Sequence, residues 1–422
     1  MTSVTLPLRY LLTAAGAFLL AALSIPLLAD ELAGFYYRPA LAALTHTVTL
    51  GWITLTIMGT SFLLVPIALE RKIWSERLAR WQFWIMGAGI FGMVSHFALG
   101  RWNGLAWAAG LVGVGVVCYL VNLGRSLRPL PRWTATAQLL ILALGGLLAT
   151  LALGFLLAVD RNRPFLPGPF FPTLHAHFHL AFLGWVSAMI LGVSAGVLPM
   201  FLRVGEPKGW GVRVQVWGMA LGVPGVTLAL LTESRLLPAA ALAVAAAAGA
   251  YLRQTLWMVR GCRRPQLDWG LRFVLTGAAF VLPTMALGLG FAFGWLRDPR
   301  LASAYAVVAL GGWTSLTMVG MLLEIVPFLV WSRAYAGRVG DEPATLGRLS
   351  WPVVEGASYT LLTPGVIGLA LAVAGASPTG ITLAGIALSA GAVLFVATLV
   401  RMVGHLGAGR AAGRRIFWRL AT

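Results

Sequence analysis

Long apolar stretches, separated by short polar loops, follow one another along the whole chain and limit the folds open to it. They lie at about residues 8–29, 41–69, 82–100, 104–123, 135–159, 175–202, 214–232, 236–259, 270–296, 301–332, 351–375 and 379–403. A helix that crosses a bilayer needs roughly 20 such residues. Hydrophobic residues make up 59% of the chain and charged residues 10%, unlike a soluble domain. The sequence therefore predicts an all-α, polytopic membrane protein with twelve transmembrane helices.

The second, sixth and tenth stretches carry the same motif at the same spacing. Its three copies are His46, Gly51-Trp52, Gly59, Pro66; His179, Gly184-Trp185, Gly192, Pro199; and Val307, Gly312-Trp313, Gly320, Pro327. Twelve helices and three copies give four helices per repeat, at about 1–133, 134–266 and 267–422. We expect one integral membrane domain with pseudo-threefold symmetry and these three helices innermost. The motif glycines predict close helix approach, and the tryptophans predict packing.

Basic residues cluster in alternate loops, which predicts the orientation of the chain. Of the 31 lysine and arginine residues, the opposite loops hold only Arg38, Arg101, Arg161, Arg163, Arg235, Arg297 and Arg300. The positive-inside rule then places both termini in the cytoplasm. The first stretch lacks a cleavage motif, so we expect it to remain as a helix. The net charge of +18 therefore reflects membrane loops, and we expect the lipid bilayer, not nucleic acid, as the partner.

Histidine and cysteine are both rare. Cys118 and Cys262 are too few for a disulfide or zinc framework. Five of the six histidines are expected near the outer surface, namely His46, His96, His175, His177 and His179. A polar group inside a membrane helix usually has a partner or a function. His405 lies in the basic tail, where we expect it to contact solvent.

The helix number, the threefold motif and the outer-side histidines resemble the catalytic subunit of haem–copper oxidases. That superfamily has three four-helix arcs, with metal ligands on the second, sixth, seventh and tenth helices. The motif His46-x4-Gly51-x7-Gly59-x6-Pro66 is still more similar to the related NnrS-type haem membrane proteins. The resemblance implies a haem protein of the bacterial inner membrane in respiratory or nitric-oxide-related redox chemistry. A periplasmic electron donor or a small gas would be its partner.

The chain departs from the oxidase pattern on two helices. The seventh stretch has no histidine, and the tenth has Tyr305, Val307 and Trp313 where ligands would be sought. The ligand set for two haems and a copper ion is incomplete, so complete oxygen reduction is not expected. A redox enzyme and a non-catalytic copper or haem sensor or assembly factor both stay open. A metal transporter is a further alternative, although carriers usually show two related halves.

The histidines predict a cofactor site, for which the sequence leaves two versions. In the first, His46 and His179 are axial ligands of one haem b. The outer-side arginines Arg38, Arg101, Arg161 and Arg163 could then bind its propionates. In the second, a copper or zinc ion is bound by His175 and His179, one turn apart, with His96 or His46, or by the set His175, His177 and His96. Membrane histidines can also simply hydrogen-bond a neighbouring helix, and this alternative stays open above all for His96.

Two carboxylates lie in or near the membrane on the cytoplasmic side. Glu324 lies inside the tenth stretch and Glu355 at the start of the eleventh. An intramembrane carboxylate is a functional candidate by default. Proton uptake and structural pairing, for instance with an arginine, are both open for them. The oligomeric state is left open as well.

Overall fold

All regular structure in the described residues is helical, as a computed structural model shows. The structure describes residues 5–68, 72–128, 133–264, 266–335, 347 and 349–420, without the side chains of 65–68 and 407–420. Several predicted residues lie outside the described part: Arg71, Arg132, Arg338, Arg348 and the side chain of Pro66. The predicted all-α class is confirmed for the described residues.

The long helices are numbered α1 to α12 in chain order. Their bounds are α1 Thr5–Ser24, α2 39–68, α3 Glu76–Ala98, α4 Leu105–Ser126, α5 Ala135–Asp160, α6 170–202, α7 Trp210–Leu231, α8 Leu237–Arg260, α9 Trp269–Ala292, α10 299–334, α11 Pro352–Ala374 and α12 Pro378–Leu420. Within the described chain, ten are long and apolar enough to cross a membrane, α3 and α8 being the others. Polar residues such as Gln82 in α3 and Gln254 in α8 set those two apart. The ten spans are those of a multi-pass membrane protein.

Four helix ends differ from the prediction by five residues or more, and one of them is the start of α3, at Glu76 instead of 82. Helix α1 ends at Ser24, because Pro26 cannot donate a helical hydrogen bond. Helix α6 begins at Phe170 instead of 175. Pro169 and Pro172 are tolerated there, since the first helical turn needs no N–H donors. Helix α12 continues to Leu420 instead of 403. The new start of α6 places its histidines one to two turns inside the helix.

Helices α2, α6 and α10 are the inner helices, as predicted. Their apolar windows are 67%, 67% and 78% buried, whereas the other seven candidate spans are 28–50% buried. A single large apolar cluster connects them to the surrounding helices. The chain therefore gives these three helices mostly protein neighbours.

Each inner helix contains one π-helical segment directly after the motif position of His46, His179 or Val307. The segments are Thr47–Thr54 in α2, Leu180–Ser187 in α6 and Val307–Ser315 in α10. In α10 the segment includes Val307 itself. A π segment holds an extra residue in one turn and is often found at functional sites.

A closed ring of hydrogen bonds joins the three inner helices at their π segments, and we call it the tryptophan ring. Its bonds run from Trp52 Nε1 to Ser315 Oγ (3.1 Å), from Trp185 Nε1 to Thr54 Oγ1 (3.2 Å), and from Trp313 Nε1 to Ser187 Oγ (3.2 Å). Each acceptor lies two residues after the tryptophan of its own helix. The motif tryptophans therefore both pack and donate, each to the next inner helix.

The motif glycines allow close approach of the helix that precedes each inner helix. A Cβ added at Gly59 would lie 2.7 Å from Tyr10 Cβ of α1, and one at Gly192 would lie 3.0 Å from Leu139 Cβ of α5. A Cβ at Gly320 would meet the carbonyl oxygen of Gly270 of α9. The predicted role of these glycines is confirmed. Pro199 and Pro327 lie inside their helices and do not end them.

Candidate cofactor site

A large cavity lies among the inner helices at their histidine ends. Its volume is about 710 Å³, within the range of small-molecule and cofactor sites. Aliphatic and aromatic side chains form most of its walls, and four histidines are in the lining: His46, His175, His177 and His179. The structure thus brings together four of the five histidines predicted at this level.

His46 and His179 share one arrangement. His46 Nδ1 lies 2.8 Å from the carbonyl oxygen of Ala42, and His179 Nδ1 lies 2.8 Å from that of His175. A carbonyl can only accept, so Nδ1 must carry the proton in both rings. The Nε2 atom then holds the free lone pair. Metal-binding histidines usually have this second hydrogen bond, which fixes both the tautomer and the ring orientation.

Each of these two rings also stacks on an aromatic side chain. His46 stacks on Phe97 of α3, with ring centroids 4.6 Å apart and planes at 26°. His179 stacks on Tyr305 of α10, with centroids 5.9 Å apart and planes at 24°. Both aromatic residues line the cavity. The stacking restricts ring rotation, so each imidazole is held in place before any ligand binds.

The ring of His177 lies against α5, whereas the ring of His179 stacks on Tyr305 of α10. A Cβ added at Gly154 of α5 would lie 2.6 Å from Cε1 of the His177 ring. The rings of His177 and His46 both line the cavity. The Nδ1 atom of His177 is buried, and the described residues offer it no hydrogen-bond partner. A buried polar atom without a partner is costly, so this ring is suited to a bound group.

His175 is engaged at the rim of the cavity. Its Nε2 lies 2.9 Å from the hydroxyl oxygen of Tyr36. Burial raises the pKa of the Tyr36 hydroxyl, so the phenol keeps its proton and shares a hydrogen bond with Nε2. Phe171 packs near both rings. His175 therefore has a partner already, whereas His46 and His179 keep a free ring nitrogen.

Four predicted site residues lie outside the cavity lining, namely His96, Arg38, Arg101 and Arg163. His96 has its Nδ1 2.7 Å from the carbonyl oxygen of Gly92, and its ring packs against Gly104. Arg38 forms an exposed ion pair with Glu31 at 2.8 Å. Arg101 is exposed. The structure therefore separates these residues from the four cavity histidines.

Two other arginines do line the cavity. Arg161, at the end of α5, has its Cζ 4.6 Å from the ring centroid of Trp102. Arg297, in the loop before α10, donates from Nε to the carbonyl oxygen of Gly294 at 3.2 Å. Arg163, the fourth predicted arginine, is exposed and outside the lining. Of the four predicted arginines, Arg161 lines the cavity, and Arg297, which was not predicted, lines it as well.

Tyr305 and Tyr36 are candidate site residues that sequence reasoning did not select. Tyr305 stands two residues before Val307, just as His177 stands two residues before His179. That shared offset within the repeat was the available signal. Tyr36 gave no comparable signal, because it lies in a loop outside the motif.

No preformed metal site with three or more His, Cys, Asp or Glu ligands is found among the described residues. The predicted set of His175, His177 and His96 is not brought together, since His96 lies outside the cavity. Cys118 and Cys262 are free. A metal held by these histidines alone would need side chains to move.

The predicted carboxylates lie at the opposite end of the bundle. Glu324 hydrogen-bonds to Asp268, which is also paired with Arg264 at 2.6 Å. Burial raises the pKa of Asp268, but its hydrogen bonds and Arg264 outweigh this and hold the pKa below its usual value. Asp268 also caps the start of α9. Glu324 therefore has a carboxyl partner at the start of α9.

Glu355 has a structural partner set. Its carboxylate accepts from the Trp351 backbone N–H at 2.7 Å and from Ser350 Oγ at 2.9 Å. These bonds satisfy donors at the start of α11, as a capping carboxylate does. The structure therefore gives Glu355 the role of a helix cap.

The prediction for His405 is wrong. His405 Nδ1 lies 2.9 Å from the hydroxyl oxygen of Tyr335, and the side chain is half-buried between the end of α10 and α12. Because α12 continues past residue 403, His405 lies on a helix and not in a solvated tail.

Neither the protein-family models nor the curated proteins that we searched match this chain.

Proposed function

We propose that the cavity binds haem b, with His46 and His179 as the axial ligands. One observation carries the proposal: both imidazoles line the same cavity and both have Nδ1 bonded to a carbonyl of their own helix. That arrangement leaves Nε2, the usual haem ligand atom, free on each ring.

The remaining walls fit the same group. Haem b needs an apolar slot and cations for its propionates. The walls are mostly apolar, and Arg161 and Arg297 lie in the lining, so these two replace Arg38 and Arg101 as propionate partners. The buried Nδ1 of His177 is a polar atom that a bound group or its ligand would satisfy.

We place the chain in the class of haem–copper oxidase and NnrS-type membrane proteins. Twelve transmembrane helices in three pseudo-threefold four-helix repeats would explain why the three inner helices carry equivalent tryptophans, glycines and π segments. The tryptophan ring supports this arrangement, because each helix donates to the next in one direction.

A role in respiratory or nitric-oxide-related redox chemistry follows from this class. Bound haem would supply one-electron chemistry or a binding position for a small gas. His177 lies near His46, and Tyr305 stacks on His179, so these residues are placed to orient a small ligand. An electron donor would approach from the end where Tyr36 and Arg161 lie.

We place the protein in a bacterial inner membrane with both termini in the cytoplasm. The basic loops between α2 and α3 and between α6 and α7 support this orientation. Reporter fusions that are active on only one side of the membrane would test it. Fusions after Arg203 and after Arg163 should give opposite signals.

Optical spectra of the purified protein, oxidised and reduced, test the haem proposal. Wild-type protein should show a Soret band that shifts on reduction. Either His46→Ala or His179→Ala should abolish the band or shift it. The matched control is His96→Ala, because His96 has the same bond from Nδ1 to a carbonyl but lies outside the cavity. Its spectrum should equal that of the wild type.

Two results would overturn the proposal. Wild-type protein purified from cells supplied with haem would show no Soret band, or His96→Ala would change the band as much as His179→Ala does. Copper or zinc found by metal analysis, and lost in His46→Ala, would replace haem with a metal ion.

A further inference from the structure

Three arginine–tryptophan stacks that join two helices lie at the end of the bundle opposite the histidines, where Arg272 and Trp269 form a fourth stack within α9. Each of the three joins the start of one helix to the helix that follows it, in the pairs α3–α4, α7–α8 and α11–α12. The distances from arginine Cζ to the indole ring centroid are 4.5 Å for Arg125 and Trp74, 4.4 Å for Arg253 and Trp210, and 4.9 Å for Arg401 and Trp351. Three helix pairs are therefore joined by the same kind of contact.

Local hydrogen bonds hold these stacks in place. The Trp74 backbone N–H donates to Ser126 Oγ at 2.8 Å, one residue after Arg125. Arg401 donates from Nη1 to the carbonyl oxygen of Ser350 at 3.3 Å, next to Trp351. Gly209, with φ of 91°, precedes Trp210. The chain therefore builds each stack from the turn that enters the first helix of the pair.

All six side chains are exposed at the surface of the bundle. Trp74, Trp210 and Trp351 are 49%, 60% and 40% exposed. Tryptophan favours the interface between hydrocarbon and headgroups. A guanidinium that stacks through its flat face still has N–H donors along its edge, and these match phosphate oxygens.

We propose that the three stacks bind the phosphate groups of anionic phospholipids. The indole would lie beside the acyl chains and the guanidinium edge would meet the phosphate. Charge complementarity favours an anionic lipid, because the chain has a net charge of +18 and its basic residues concentrate at this end. The lipid sites lie far from the cavity and do not depend on haem.

Native mass spectrometry of the full-length protein in detergent tests this proposal, with phosphatidylglycerol and phosphatidylcholine as the probes. Wild-type protein should retain phosphatidylglycerol in preference to phosphatidylcholine. The variant with Arg125→Gln, Arg253→Gln and Arg401→Gln should bind phosphatidylglycerol at least about fivefold more weakly at each site.

The matched control removes the same charge from exposed arginines near the same helix ends, through Arg77→Gln, Arg213→Gln and Arg260→Gln. These have no tryptophan stack among the described contacts. The control should keep most of the lipid preference. If it loses as much as the first variant does, general charge and not the stacks binds the lipid, and the proposal is overturned.

A second variant distinguishes the loss of the stacks from a loss of folding. Replacing Arg125, Arg253 and Arg401 by lysine keeps the charge but removes the planar group, and should weaken phosphatidylglycerol binding by a smaller factor. Circular dichroism and size exclusion would show that it folds. Three results would each overturn the proposal. The lysine variant could bind phosphatidylglycerol as tightly as the wild type does, or the wild type could bind the two lipids equally. In the third, inorganic phosphate would compete for the sites as well as phosphatidylglycerol does.

Discussion

The tryptophan ring lies on the same three helices as His46, His177, His179, Tyr305 and Val307, which we call the histidine layer. Only in the ring do the three helices supply the same groups. In the ring, each inner helix supplies one indole donor and one hydroxyl acceptor. Six residues earlier, the equivalent positions hold His46, His179 and Val307. Two residues before those stand Leu44, His177 and Tyr305. The three helices therefore contribute the same pair of groups at one level, whereas their residues differ at the next.

This difference separates the residues that hold the fold from those that could serve a cofactor. Each buried indole N–H of the ring has a hydroxyl acceptor, so the ring leaves no indole donor without a partner. The histidine layer leaves His177 Nδ1 without a partner among the described residues. The buried polar atom that suits this layer to a ligand lowers the stability of the cofactor-free protein.

Removing one indole from the ring should give the largest loss of stability. Trp185→Ala opens a cavity at a site that is 2% exposed, and should cost about 3–5 kcal/mol. Thermal unfolding in detergent would measure this. The control is Trp217→Ala, at a position 62% exposed, which should change little. Equal effects of the two substitutions would show that the ring does not hold the bundle.

Removing the ring acceptors one at a time should give smaller and similar losses. Thr54→Val, Ser187→Ala and Ser315→Ala each leave an indole N–H without its acceptor, at a cost of about 0.5–2 kcal/mol. Denaturation in detergent of the three single variants would compare them. If one acceptor carried nearly all of the effect, the threefold equivalence of the ring would be disproved.

Substitution in the histidine layer should give the smallest change, with the opposite sign. His177→Leu removes a buried polar atom without a partner, and should stabilise the cofactor-free protein by about 1 kcal/mol. His96→Leu removes a ring that is hydrogen-bonded to Gly92, so it should destabilise instead. Unfolding temperatures of the two cofactor-free variants would show the contrast. A loss of stability in His177→Leu would mean that this ring already has a structural role.

The sequence predicted the all-helical class, ten of its twelve spans and the three buried inner helices, because apolar length and repeated spacing are local signals. Gly59, Gly192 and Gly320 were assigned correctly, since small residues allow helices to approach. The partners of individual side chains were not predictable. That Tyr36 bonds to His175, 139 residues away, depends on how the loop returns to the bundle. The Arg38–Glu31 pair and the Glu355 cap are local, but they depend on turn geometry that the hydrophobic pattern does not specify.

The start of α6 shows a second limit of the sequence. The apolar pattern begins at His175, so the helix was expected to begin there. Pro169 and Pro172 instead begin the helix one turn earlier, and this moves the histidines away from the helix end. A pattern of hydrophobicity does not report such polar or proline-rich first turns.

The π segments also set the angle between the two levels. In an α-helix each residue turns the chain by about 100°, and a π segment holds one residue more than an α-helical turn would. If Thr47–Thr54 were wound as an ordinary α-helix with all of its residues kept, everything before it would rotate by about 100° relative to Trp52. His46 would then swing away from the cavity while the indole kept its bond to Ser315. The π segment therefore sets the direction of the histidine around the helix axis without changing the position of the indole.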